Sequence, residues 1–232
     1  MAAMSAGGGV ATVWREGVMV CKGRELRLRP GPEIEPGPEP ALSGLVWDTD
    51  PHLFAYLFGK DRGLWDRLFR AEWAADQGLH RAADTIVATA GDGAVLGLVN
   101  AFAGPEADAR AEASFGRYMA SLDPDAAAAL AEAAGRMAWL FPPVPDDALL
   151  IFNIVVAEDA RGLGLGAALL GAAEAVARGK GLAALHLDVE VSNPAVGFYQ
   201  RHGFRPVVET RLAGPGTGTV PPHYRMILTL TG

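Results

Sequence analysis

The sequence predicts an α/β domain, a mixed sheet of about seven strands flanked by helices, with a helical insertion partway along. Three observations carry that expectation. Half of the 232 residues are hydrophobic and a fifth are charged, enough apolar material for one sizeable core. Residues 149–191 run strand, glycine-rich turn, helix, strand, a crossover that joins parallel neighbours with right-handed winding. Residues 85–90 and 95–103 read as strands joined by Gly91-Asp92-Gly93, a hairpin turn sequence, so antiparallel pairing accompanies the parallel pair.

In chain order, residues 1–22 are expected to form a flexible N-terminal extension, without the basic start and apolar run of a secretion signal. Residues 23–232 form a single domain. Glu25-Leu26-Arg27-Leu28-Arg29 alternates at period two and Pro30 stops it, which fits an edge strand. Residues 30–40 hold five prolines and two glycines and read as a stiff loop. Asp50-Pro51 supplies a cap and a first-turn proline for a helix reaching about Phe58. A second helix runs from Asp61 to about Gln77, its apolar face made of Leu64, Trp65, Leu68, Phe69 and Trp73, a core-packing pattern. The insertion spans about residues 105–146. It is alanine-rich, divided into two helices by Asp123-Pro124 and ended by three prolines between 141 and 147. After the crossover come a short helix near 194–202 and two strands, about 204–212 and 224–231.

Composition removes several classes of function. A net charge of −7 disfavours a whole-protein role on nucleic acid or an anionic membrane. No apolar stretch approaches the roughly 20 residues of a membrane helix. One cysteine, Cys21, cannot make an internal disulfide, so a reducing, cytoplasmic setting is expected. The histidines show no ligand spacing, and no metal is expected. No G-x-S-x-G elbow is present, and Cys21 lies in the extension, so nucleophile-based hydrolysis lacks a candidate.

The chemistry-bearing segment is Arg161-Gly162-Leu163-Gly164-Leu165-Gly166-Ala167, placed between a buried-looking strand and an amphipathic helix. Glycines let backbone amides approach a ligand, and the helix N-terminus adds partial positive charge, so a phosphate could sit there without lysines. A plain loop with helix-starting glycines is the other reading. A P-loop is excluded because Gly166-Ala167-Ala168 lacks the lysine and hydroxyl. Gly162, Gly164 and Ala167 also satisfy a dinucleotide fingerprint, with Asp188 further on. Against it stand the polar connection over residues 158–161 and too little chain after Val191 to finish a doubly wound sheet.

Arg161, Gly164 and Gly166 meet Gln/Arg-x-x-Gly-x-Gly/Ala, the acetyl-CoA signature of the GCN5-related N-acetyltransferase (GNAT) family. The resemblance runs on from Asn153-Ile154-Val155-Val156 through Leu169-Leu170 and Leu185–Val189 to Asn193, Phe198-Tyr199 and His202-Gly203-Phe204. Within the family, this core is most similar to the ribosomal-protein N-terminal alanine acetyltransferases, although the N-terminal half differs. The resemblance implies a mostly antiparallel sheet, splayed where the co-substrate enters, and direct transfer of acetyl from acetyl-CoA to a primary amine of a small molecule or peptide. It also implies roles. Ile154, Val155 and Val156 would pair with the pantetheine arm, and the amides of Gly162, Leu163, Gly164, Leu165, Gly166 and Ala167 would take the pyrophosphate beside Arg161. Asn193 would hydrogen-bond near the arm, although the step from Asn193 to Tyr199 is one residue shorter than the family commonly has. Tyr199 matches the tyrosine that protonates the departing sulfur. Asp188 falls where the alanine acetyltransferases carry a glutamate base; being shorter, it would act through water.

Strand alternation puts His186, Asp188 and Glu190 on one face, so any of the three could serve as base. Asp48, Asp50 and His52 form a second polar cluster, for helix capping or for lining an acceptor pocket. The insertion could shape that pocket or a homodimer face. A non-catalytic acyl-CoA-binding sensor on the same fold is the alternative function; it would not need Tyr199 and Asp188.

Overall fold

A computed structural model describes residues 13–15, 18–21, 24–34, 39–137, 139–212 and 220–230. The described residues begin with β1 (Val13–Arg15), β2 (Val18–Cys21) and β3 (Arg24–Pro30). Helix α1 (Glu39–Trp47) follows, then α2 (Pro51–Phe58) and α3 (Arg62–Trp73). The hairpin β4 (Thr85–Ala90) and β5 (Val95–Ala103) leads to α4 (Ala107–Ser121) and α5 (Pro124–Met137). The crossover is β6 (Ala148–Val156), α6 (Leu165–Gly179) and β7 (Ala184–Glu190), after which α7 (Ala195–Arg201), β8 (Arg205–Thr210) and β9 (His223–Thr229) complete the fold.

The strands form one sheet in the order β1-β2-β3-β4-β5-β6-β7-β9-β8, with β6 and β7 parallel and every other pair antiparallel. Strands β3 to β9 are the seven expected from the sequence. The other two correct the reading of residues 1–22 as a flexible extension, because Val13–Arg15 and Val18–Cys21 pair in register and continue onto β3. The first twelve residues lie outside the described ones.

Two apolar layers sandwich the sheet, and alternation assigns each strand residue to one of them. In β5, Leu98 faces a layer with Val87, Trp65, Phe69, Phe54 and Leu42, whereas Val99 faces one with Ala88, Leu149, Leu169 and Leu185. Helix α6 covers the second face. Helices α1 to α5 contribute to the first. Helix α1 is not among the elements expected from the sequence; the stiff loop expected over residues 30–40 reaches only its first two residues. Pro40 belongs at a helix start, but Ser43 and Gly44 are poor helix formers, so local propensity hides the helix that burial of Leu42 and Val46 stabilises. Helix α3 stops at Trp73, short of Gln77, because the carboxylate of buried Glu72 turns the chain by accepting the amides of Leu79 and His80 at 3.0 and 3.3 Å. Ser114 donates to the same carboxylate at 2.6 Å, and Arg117 pairs with it, which ties α4 to α3.

Candidate active site

The site is made by the strands parting. Pairing between β6 and β7 ends at Ile151↔Leu187. Beyond that point β7 pairs with β9 alone, and β6 with β5 alone out to Gly97↔Val156. A bulge in β6 places Phe152 as the unpaired residue at the point of divergence, where it re-aims the strand. A cavity of about 1370 Å³ occupies the gap. Of the residues expected to hold the co-substrate, Ile154, Val155, Val156, Arg161, Gly162, Gly164, Leu165, Gly166, Ala167, Asn193 and Tyr199 line it. Leu163 does not; its side chain packs into the α6 core.

The turn into α6 is built as an anion cradle. Gly162 and Gly164 have φ of 74° and 81°, the left-handed region that glycine adopts without strain, and Gly164 is the helix N-cap. That cap supplies no side-chain acceptor. Among the described residues, no acceptor takes the amides of Gly162 to Ala167; the first return bond is Ala168 to the Gly164 carbonyl at 3.1 Å. Five of these six residues, Gly162, Gly164, Leu165, Gly166 and Ala167, line the cavity with unpartnered N–H groups at the positive end of a helix. Arg161 and Arg201 line it too, and neither makes an ion pair among the described residues. Arg201 escaped the sequence reading, since one basic residue at a helix end carries no motif.

Tyr199 is 6% exposed, with its ring 5.4 Å from Phe198 and 5.8 Å from Phe204. Burial lifts its phenol above the ordinary value, so the proton stays on. Among the described residues nothing hydrogen-bonds this hydroxyl. Asn193 uses its side-chain oxygen to accept the Ala195 amide at 2.9 Å, starting α7, so what it offers a ligand is its amide nitrogen.

The three acids and bases expected on β7 have separate fates. His186 is buried, with Nδ1 unpartnered, and burial together with the Arg225 charge lowers its pKa to about 4; it does not line the cavity. Asp188 lines the cavity, but Arg225 donates to both of its oxygens, at 2.7 and 2.8 Å. Burial raises the Asp188 carboxyl, with Arg225 pulling the other way. The expected base is thus a clamped carboxylate; the register Asp188↔Arg225 that clamps it is set by strand pairing. Glu190 lines the cavity at the open end, accepting from Ser192 and contacting His52 Nδ1 at 2.9 Å.

Asp50 does cap α2, accepting the Leu53 amide at 2.9 Å. Its second oxygen meets His223 Nε2 at 2.6 Å, while His223 Nδ1 donates to the Pro221 carbonyl at 2.9 Å. Burial opposes a charge on this ring, but Asp50 outweighs it and the pKa is raised, which favours the imidazolium. Asp50, His52 and Glu190 bring ligand-type atoms within 4.8 Å of one another. Their hydrogen bonds already engage both Asp50 oxygens and the His52 Nδ1. Among the described residues no helix is long and apolar enough to cross a membrane.

With this geometry in place, the comparisons give the class. The chain matches the Acetyltransferase (GNAT) family over residues 52–204, well over half its length, and it belongs to that family. It is an acyltransferase by that membership. The fold is similar to an N-acetyltransferase from Staphylococcus aureus Mu50 (16% identity, 87% of this chain and 99% of that one, TM-score 0.59). It is also similar to a GCN5-related N-acetyltransferase from Kribbella flavida (22% identity, 88% and 98%, TM-score 0.52). The ribosomal-protein-S18-alanine N-acetyltransferase from Escherichia coli aligns at 18% identity over 89% and 96% with a TM-score of 0.49, too loose to carry its acceptor across. No curated protein matches the sequence.

Proposed function

We propose that the protein moves acetyl from acetyl-CoA directly to a primary amine, with Tyr199 as general acid. The observation that carries this reading is the meeting, on one cavity, of the unpartnered amides of Gly162 to Ala167 and the unpartnered Tyr199 phenol. The amides, with Arg161 and Arg201, suit the pyrophosphate, and the free edge of β6 from Phe152 to Val156 suits an extended arm lying beside it as an added strand.

Bound acetyl-CoA supplies the thioester. The transfer makes one N–C bond and breaks one C–S bond; the amine gives up a proton and the sulfur gains one. Tyr199 supplies the second proton, which its raised pKa keeps available at neutral pH. For the first, Glu190 is the better placed carboxylate, reached through water and backed by the exposed His52, while both oxygens of Asp188 stay clamped by Arg225. The lone cysteine is the ground for placing the enzyme in a reducing cytoplasm.

The test is calorimetric titration with acetyl-CoA followed by thiol-release assays on a panel of amines. Binding with turnover supports the reading. Binding without turnover on any amine leaves an acyl-CoA sensor, and absence of binding removes the reading altogether.

A further inference from the structure

The cavity is larger than the co-substrate arm needs, and the surplus has a chemical character. Its walls pass from the cleft between β6 and β7 into the layer made by α2, α4, α5 and the loop at 139–144. Phe54, Phe58 and Tyr118 line that part as an aromatic row, with ring centroids 6.2 and 5.6 Å apart along it. Leu130 and Phe152 close it from α5 and β6. Two large apolar side chains stand at this lining yet face solvent: Trp139 is 89% exposed and Phe115 37%. Exposed aromatics on a concave wall mark a surface waiting for an apolar partner.

Charge narrows the partner further. On the acceptor side the walls carry Asp48, Asp50 and Glu190, which face Arg62, His223 and His52, and Asp108 and Glu112, which make no ion pair among the described residues. The cations there are already matched, Arg225 to Asp188 and His223 to Asp50, whereas Arg161 and Arg201 belong to the glycine turn and α7. Among the described residues the buried, unpartnered polar side-chain atoms of this wall are the Tyr118 hydroxyl, Asn153 Oδ1 and His80 Nδ1, three atoms against the many groups of a polyhydroxylated or peptide ligand. Ser114 donates to Glu72, and the His80 ring is buried, with burial holding its pKa at about 3. A ligand rich in hydroxyls or amides would leave most of those groups unpaired against aromatic carbon, which disfavours its binding.

From this we infer that the acceptor is a small cationic amphiphile, a primary amine on an apolar, ring-bearing body, and that α4 and α5 form its pocket. This deepens the acetyl-transfer reading and rests on it. Typical pockets for drug-sized ligands span about 300–1,000 Å³, so about 1370 Å³ holds such an amine together with the co-substrate arm. A long acyl chain is the competing occupant of an apolar chamber. Asp108 and Glu112, the wall carboxylates without an ion pair among the described residues, favour the amine, because an uncharged chain would gain nothing from them.

The experiment is thiol release by the full chain with acetyl-CoA and 4-phenylbutylamine, spermidine, kanamycin or an alanine-starting hexapeptide as acceptor. The expected result is a kcat/KM for 4-phenylbutylamine at least tenfold above each polar amine. Ala134→Trp, which fills the half-buried α5 wall, should raise KM for 4-phenylbutylamine tenfold and leave KM for acetyl-CoA within twofold. Trp139→Ala, at a fully exposed position that cannot upset folding, should raise the same KM several-fold. Preference for a polar amine, an unchanged KM in both variants, or faster turnover of octanoyl-CoA than acetyl-CoA would overturn the inference while leaving acetyl transfer standing. Failure of acetyl-CoA to bind in the calorimeter would overturn both.

Discussion

Asp188 and Glu190 sit two residues apart on one strand, point to one side, and have different chemistry because of what β9 and α2 place opposite them. Asp188 meets a buried arginine across the sheet, and Glu190 meets a half-exposed histidine. Exchanging each for its amide should therefore separate stability from rate. Asp188→Asn leaves Arg225 buried without its counter-charge and should cost about 3–5 kcal/mol of unfolding free energy, read by urea denaturation. Glu190→Gln should cost less, about 1 kcal/mol or under, because its partner His52 is exposed and rehydrates, although Glu190 itself is as covered as Asp188. It should lower kcat roughly 10²-fold at neutral pH, the lower end of what positioned proton transfer contributes. The reverse pattern would make Asp188 the base. The sequence could show that this strand carries acids, but it could not show the partner, since a cross-strand neighbour 37 residues away is fixed only by register.

At the scale of elements, the turn before α6 does its work through backbone conformation. Gly164→Val forces a β-branched residue to φ of 81° and should weaken acetyl-CoA binding about tenfold or more, a loss of about 1.4 kcal/mol or above. Gly59 is the control: its φ is 66°, nothing lies within 4 Å of a Cβ there, and it does not line the cavity. Gly59→Val should cost stability to a similar degree and leave acetyl-CoA binding intact. Calorimetry on the two variants distinguishes strain from a damaged cradle. This element was legible in the sequence because its glycine spacing, the preceding apolar strand and the following helix are all local. The parting of β6 from β7 was not, beyond what the family resemblance implied, since it depends on where pairing stops and on the bulge at Phe152. Helix α1 and the first two strands were missed for a related reason: weak local signals are made decisive by burial and by pairing with distant strands.

At the scale of the molecule, the two aromatic and aliphatic layers bury histidines whose protonation couples folding to pH. Burial holds His80 at about 3 among the rings of Phe54, Trp65, Phe69 and Phe152. A pKa depressed below its unfolded value means stability that is full above about 6.5 and lost as pH falls toward 3. For His80 alone, acidification from pH 6.5 to 5 should cost about 2 kcal/mol. His186 acts in the same direction. His223 has the opposite sign: its raised pKa contributes below pH 6.5 and is lost as pH rises through the folded value. Denaturation at pH 7 and pH 5 should show His80→Phe nearly abolishing the His80 share of acid sensitivity. An unchanged pH slope in that variant would mean the ring is not held neutral by the core.

The most direct test of the central claim is the Tyr199→Phe protein, assayed for acetyl-CoA affinity and for single-turnover acetyl transfer to an accepted amine. The phenylalanine ring keeps the packing against Phe198 and Phe204 and removes only the hydroxyl. Acetyl-CoA binding should stay within a few-fold of the parent while the transfer rate falls by about 10²–10⁴. Transfer at the parental rate would rule out Tyr199 as the general acid.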